Sequence, residues 1–215
     1  MDMPRSRSQA RRDAHTAATR AEIIEAAAVL MRERGYVGTS IAAIADRGGV
    51  AVQTIYNTIG SKAEILAAVL AAADHRTGPG RAVHELVSRL TEAASGSAAL
   101  GLLAHWLADG NERAAPIRRV LTEAAGIDPE IRELERSSAA RSLHACSEAV
   151  EALRSRFGLR AGLSDHEAAA SIWALAHPQV FQTLVVDLGW SGETYTEWLR
   201  SGLAGALSPE RFPAR

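Results

Sequence analysis

Residues 39–62, TSIAAIADRGGVAVQTIYNTIGSK, decide the fold. Ile41, Ile44 and Ala45 recur at helical spacing, as do Ile55 and Ile59, and Gly48-Gly49-Val50 separates the two runs. The spacing predicts two short helices joined by a tight turn, a helix-turn-helix. With Ile55 and Ile59 turned inward, Val52, Gln53, Thr54, Tyr56, Asn57 and Thr58 fall on the remaining faces of the second helix. Short polar or aromatic side chains of this kind suit the base edges and phosphates of a DNA major groove.

Helices are expected on both sides of this stretch. Upstream, Thr19 with Glu22 has the spacing of a capping box, and Ile23, Ala26, Ala27, Leu30 and Met31 form an apolar stripe, predicting a helix from Thr19 to about Arg34 that Gly35 ends. Thr39 or Ser40 is the expected cap of the next helix. Downstream, Ser61 with Glu64 repeats the capping-box spacing, and Ile65, Leu66, Val69 and Leu70 predict a helix to about His75. Residues 1–18 show no apolar periodicity and predict a flexible basic arm. Its Arg5, Arg7, Arg11 and Arg12, with Arg20 beyond it, are placed to meet phosphates, although a solvated tail explains them equally well.

Gly35-Tyr36, Thr39-Ser40-Ile41, Ile44-Ala45, Gly49-Val50, Thr54-Ile55-Tyr56 and Ser61-Lys62 followed by Ile65-Leu66 resemble the amino-terminal domain of the tetracycline-repressor (TetR) family of bacterial transcription regulators. The resemblance implies DNA contacts from Gln53, Thr54, Tyr56, Asn57, Thr58, Thr39 and Ser40, with Lys62 in the place of a phosphate-binding lysine. Gln53 and Asn57 lie four apart on one face and can each pair with adenine N6 and N7, so they are the expected base readers. Three positions depart from the family pattern. Ala51 stands where a capping side chain is usual, Gln53 where glycine is frequent, and Ile59 where an aromatic is usual. The missing cap is expected to cost the reading helix about 1 kcal/mol.

The rest of the chain also reads as helix. Alanine is abundant, aromatics make up 5% of the 215 residues, and no stretch has hairpin character, so the expected fold class is all-α. Thr77-Gly78-Pro79-Gly80 is the expected hinge between a helix-turn-helix domain over 19–76 and a helical ligand-binding and dimerisation domain over 81–207. Helical patterns are expected at about 81–94, 98–110, 116–125, 129–157, 165–187 and 192–207, with Pro178 kinking the penultimate one and freeing carbonyls near His177. The segments His177 to Phe181, Asp187 to Ser191 and Tyr195 to Leu199 resemble the family's last two helices, which pair across a two-fold axis. A homodimer is therefore implied.

Net charge of −1 gives no whole-protein drive toward nucleic acid; the basic residues matter by position. The single Cys146 excludes an intramolecular disulfide and suits a reducing compartment. No signal-peptide pattern and no run of about 18 apolar residues is present, so a cytoplasmic protein is expected, without membrane contact. No metal-binding motif, P-loop or nucleophile elbow occurs, so no cofactor, metal or catalytic residue is expected. His105, Trp106, His144, Trp173, His177 and Phe181 are the candidate lining of an effector pocket, which the resemblance implies; each more often serves as core or interface. The expected function is a ligand-responsive DNA-binding regulator, a repressor acting as a dimer on a palindromic operator. The alternative is a helical enzyme or small-molecule-binding protein with no DNA role.

Overall fold

A computed structural model describes residues 7–74 and 81–209, and among these every regular element is helical. The elements are α1 (Arg7–Arg34), α2 (Ile41–Arg47), α3 (Val52–Thr58), α4 (Lys62–Asp74), α5 (Arg81–Glu92), α6 (Gly96–Ala125), α7 (Pro129–Phe157), α8 (Asp165–Leu175), α9 (Pro178–Phe181), a π-helical turn (Gln182–Asp187) and α10 (Gly192–Leu207). The expected all-α class holds. The expected hinge Thr77-Gly78-Pro79-Gly80 and Arg5 lie outside the described residues.

Packing divides the chain into two compact units. The first joins residues 1–72 with 116–134, and the second joins 73–115 with 135–215. In the first unit α1 packs on α2 and α3, burying Ile23, Ala27, Met31, Ile44 and Ile55 at 4% exposure or less. Ile65, Leu66 and Leu70 of α4, with Ile117, Leu121 and Ile131 from the added segment, are buried in the same unit. The second unit has a continuous core around Leu90, Leu103, Val150, Leu153, Ile172, Tyr195, Leu199 and Leu203.

Four local expectations change. First, α1 begins at Arg7 rather than at Thr19. Arginine and alanine are strong helix formers, so the helix runs through Thr19 without a cap there, and residues 11 and 13–18 remain exposed. Second, Gly110-Asn111 and Pro116 do not divide α6, which is continuous from Gly96 to Ala125. Asn111 destabilises helices by bonding to nearby backbone, but here its Nδ2 donates to the Ala176 carbonyl (2.9 Å) and the Tyr195 hydroxyl (3.1 Å). Third, Pro178 begins a helix instead of kinking one. α8 stops at Leu175, and α9 restarts with Pro178 in its first turn, where a missing N–H costs nothing. Fourth, the carbonyl freed at this break, that of Ala176, is satisfied by Asn111 rather than by a ligand or water.

The expected capping box downstream of the turn is formed. The Glu64 amide donates to Ser61 Oγ (3.2 Å) and the Ser61 amide to the Glu64 carboxylate (2.7 Å). Ser164 and Glu167 make the same reciprocal pair at the start of α8.

Candidate nucleic-acid interface

The site is set by how α2 hands the chain to α3. Ser40 caps α2, its hydroxyl accepting from the Ala43 amide (3.1 Å). Thr39, expected beside it as a contact, is 1% exposed and donates its hydroxyl to the Gly35 carbonyl (2.8 Å). It fixes the entry to α2 and does not face solvent. The turn then bends at Gly49, whose φ of +64° is the left-handed region that side chains with a Cβ disfavour. Ala51 takes the extended backbone of a cap, φ −73° and ψ 147°, but supplies no side-chain hydrogen bond. The uncapped start expected from sequence is therefore present.

Ile55 fastens α3 to the core at 0% exposure, and Ile59 is half-buried. That orientation turns Gln53, Tyr56 and Asn57 outward, with Tyr56 50% exposed, while Thr54 and Thr58 are half-buried on the flanks. Gln53 Nε2 donates to Asn57 Oδ1 at 3.0 Å across one turn of the helix. At the far end, Arg20 of α1 donates to the Thr58 carbonyl (3.2 Å). A cation at a helix C-terminus meets the negative end of its dipole.

The next connection is as tightly determined. Gly60 has φ +118°, and a Cβ there would collide with the Glu64 carboxylate that caps α4. Lys62 opens α4 with its ammonium 4.3 Å from the centre of the Tyr36 ring, a cation–π contact. Tyr36 in turn donates its hydroxyl to Asp128 Oδ2 (3.2 Å), in the turn between α6 and α7. Burial, then the Asp128 charge and this hydrogen bond, push the Tyr36 phenol up to about 12. Burial lowers the Lys62 pKa, and the Asp128 charge opposes that shift by favouring the ammonium. Sequence reading missed Tyr36 and Asp128 as partners of Lys62. Asp128 carries no local signal, because it lies far along the chain and joins the first unit only by packing.

In the second unit the six expected pocket residues do not all come together. His105 and His144 have side chains 70% and 78% exposed and face Asp109 and Glu148 on their own helices. Trp106 is half-buried. Trp173 and His177 meet edge-on at 5.0 Å between ring centres, and Phe181 is buried edge-on against Tyr195 at 5.1 Å. A cavity of about 450 Å³ lies elsewhere in this unit, with none of the six in its wall. Leu100, Leu153, Phe157 and Leu207 supply apolar surface, while Ser95, Ser97 and Arg200 supply polar atoms. Cys146 is buried, and burial pushes its thiol up to about 12, so it stays protonated and unreactive at neutral pH. Among the described residues no helix is long and apolar enough to cross a membrane, and no group of three His, Cys, Asp or Glu side chains is placed to hold a metal ion.

Residues 23–69, which contain α2, α3 and the start of α4, match the family model of the bacterial regulatory proteins, tetR family. No curated protein matches the sequence. Solved structures do match the fold. A protein of Mesorhizobium loti assigned to the TetR-family transcriptional regulators superposes with a TM-score of 0.71 at 19% identity, over 90% of this chain and 98% of its own. NalD, the secondary repressor of the MexAB-OprM multidrug efflux pump in Pseudomonas aeruginosa, gives 0.68 at 21% identity, covering 92% and 99%. A transcriptional regulator of Saccharomonospora viridis in complex with choline gives 0.67 at 21%, covering 91% and 100%. At such identities the likeness establishes a shared fold.

Proposed function

From the premise that its helix-turn-helix is that of the tetR family of bacterial regulatory proteins, we propose that this protein is a ligand-responsive DNA-binding transcriptional regulator, a repressor. The observation that carries the reading is the outward face of α3. Gln53, Tyr56 and Asn57 stand free of the core on a helix fastened by Ile55, and the half-buried Lys62 follows at the start of α4. A short helix held this way can enter a major groove, its side-chain amides reaching base edges while Tyr56, Ser40 and Lys62 meet phosphates. Thr54 and Thr58, half-buried on the flanks, would touch backbone rather than bases.

Two copies would bind an inverted repeat, with reading helices about one duplex turn, ~34 Å, apart or slightly farther. Val186 and Leu188, exposed at 56% and 64%, are apolar side chains that pairing of the subunits would cover. The cavity in the second unit supports the ligand-responsive part. Its apolar wall with three serines, and with Arg200 paired to Glu197, fits a small molecule with an apolar body and a hydrogen-bonding end. Such an effector shifts DNA affinity only by binding two states of the dimer unequally. A cytoplasmic location follows from this role.

The test is retention of pooled genomic fragments from the source organism. Enrichment of a few fragments sharing an inverted repeat is expected. No retained fragment even at low salt, where phosphate contacts are strongest, would sink the reading.

A further inference from the structure

The reading helix carries two amides that sequence logic treats as independent, but the structure joins them. Gln53 Nε2 donates to Asn57 Oδ1 at 3.0 Å, and both side chains are exposed. A carboxamide has one oxygen acceptor and an NH2 with two donor hydrogens. The bond spends the two ends unequally. It engages the Asn57 oxygen with Gln53 and leaves the Asn57 NH2 uncommitted. Gln53 commits one hydrogen and keeps its oxygen together with the second N–H.

Building on the DNA-binding reading above, we propose that Gln53 and Asn57 read the operator as one hydrogen-bonded unit, with Gln53 specifying adenine and Asn57 specifying an acceptor-only base, guanine or thymine. Adenine offers N6–H as donor and N7 as acceptor, the complement of what Gln53 retains. Guanine O6 and N7, or thymine O4, accept from an uncommitted NH2, whereas the adenine and cytosine amino groups oppose it. Four residues of helix separate the two positions by about 6 Å, against about 3.4 Å per base step, so they address neighbouring or next-neighbouring base pairs. Free asparagine would choose adenine. The bond to Gln53 engages the oxygen that adenine N6–H would need and so biases Asn57 away from that option.

A pair that merely stiffens the short, uncapped α3 would make the same contact, and base preference separates the two roles. The experiment is selection from a randomised duplex library with the full-length wild type and with Gln53→Ala, Asn57→Ala and Asn57→Asp, each shown to be folded by circular dichroism. Wild type is expected to select adenine at one position and guanine or thymine at the other. Asn57→Asp keeps an acceptor for Gln53 but puts oxygen in place of the NH2, so the second position should move by about tenfold toward cytosine while adenine is retained at the first. Gln53→Ala should release Asn57 and move the second position toward adenine. Asn57→Ala should broaden the preference for adenine at the first. Wild-type selection of adenine at both positions, or Gln53→Ala and Asn57→Ala variants that each change only their own base pair, would overturn the coupled reading while leaving DNA binding intact. No selected sequence from the wild type would instead remove the DNA-binding reading itself.

Discussion

The helix-turn-helix face and the cavity of the second unit are built on different scales. Most of the first comes from residues 39–64, where the capping supports are neighbours in sequence, Ser40 on Ala43 and Glu64 on Ser61, while Arg20 at Thr58, Asp128 at Tyr36 and the packing of α1 come from farther along the chain. The second is assembled from the start of α6, the end of α7 and the end of α10, whose side chains are strangers in the chain. The difference teaches that a surface presented by one short helix needs only its anchors and turns, whereas a cavity exists only once several helices have packed. Damage should therefore separate cleanly.

The largest effects test that separation. Ile55→Ala is expected to cost about 2–5 kcal/mol of stability and to abolish sequence-specific DNA binding, because the only fully buried residue of α3 is its anchor. Leu153→Ala, in the cavity wall and 2% exposed, should cost a similar amount in a thermal melt. In contrast to Ile55→Ala, it should leave base preference unchanged. Loss of base preference in the second variant would break the comparison.

Lys62→Ala comes next. A roughly tenfold weaker affinity for operator and nonspecific duplex alike is expected, with the slope of log K against log salt falling by about 0.9 for each phosphate the protein no longer neutralises. Fluorescence anisotropy at several salt concentrations reads both. A smaller gain is expected from Ala51→Ser, since the backbone at 51 is already in the extended conformation of a cap and lacks only the oxygen. About 1 kcal/mol of added stability should appear in chemical denaturation.

The smallest effect concerns pH. Tyr36 is pushed from 10.0 to about 12, with burial the larger cause and Asp128 next. A phenol whose folded pKa lies above its unfolded one contributes stability that is complete below about pH 10 and lost as pH rises toward 12. Asp128→Asn should narrow that window, lowering the Tyr36 titration while burial keeps it above its ordinary value. Ultraviolet titration of the tyrosines, with Tyr36→Phe to assign the step, would show it; an unmoved step would contradict the Asp128 contact.

What could be read in the sequence follows the same division. The turn at Gly49, the missing cap at Ala51, the box at Ser61 and the outward Gln53 and Asn57 depend on spacings of three or four residues, so local spacing alone locates them. Asn111 was opaque for the opposite reason. Beside Gly110 and ahead of Pro116 it has the local character of a helix break, and only the Ala176 carbonyl and Tyr195 hydroxyl brought against it explain the unbroken α6. Asp128 next to Tyr36, and the dispersed positions of His105, His144 and Phe181, are likewise consequences of packing. Spacing along one helix could not place them.

Hydroxyl-radical footprinting on a duplex selected by the protein tests the central claim most directly. Two protected patches on one face of the DNA, with centres about 34–36 Å apart and abolished together in Ile55→Ala, are the predicted result. A protein that selects and protects no duplex, or whose protection persists in Ile55→Ala, would contradict the assignment of α3 as the reading helix.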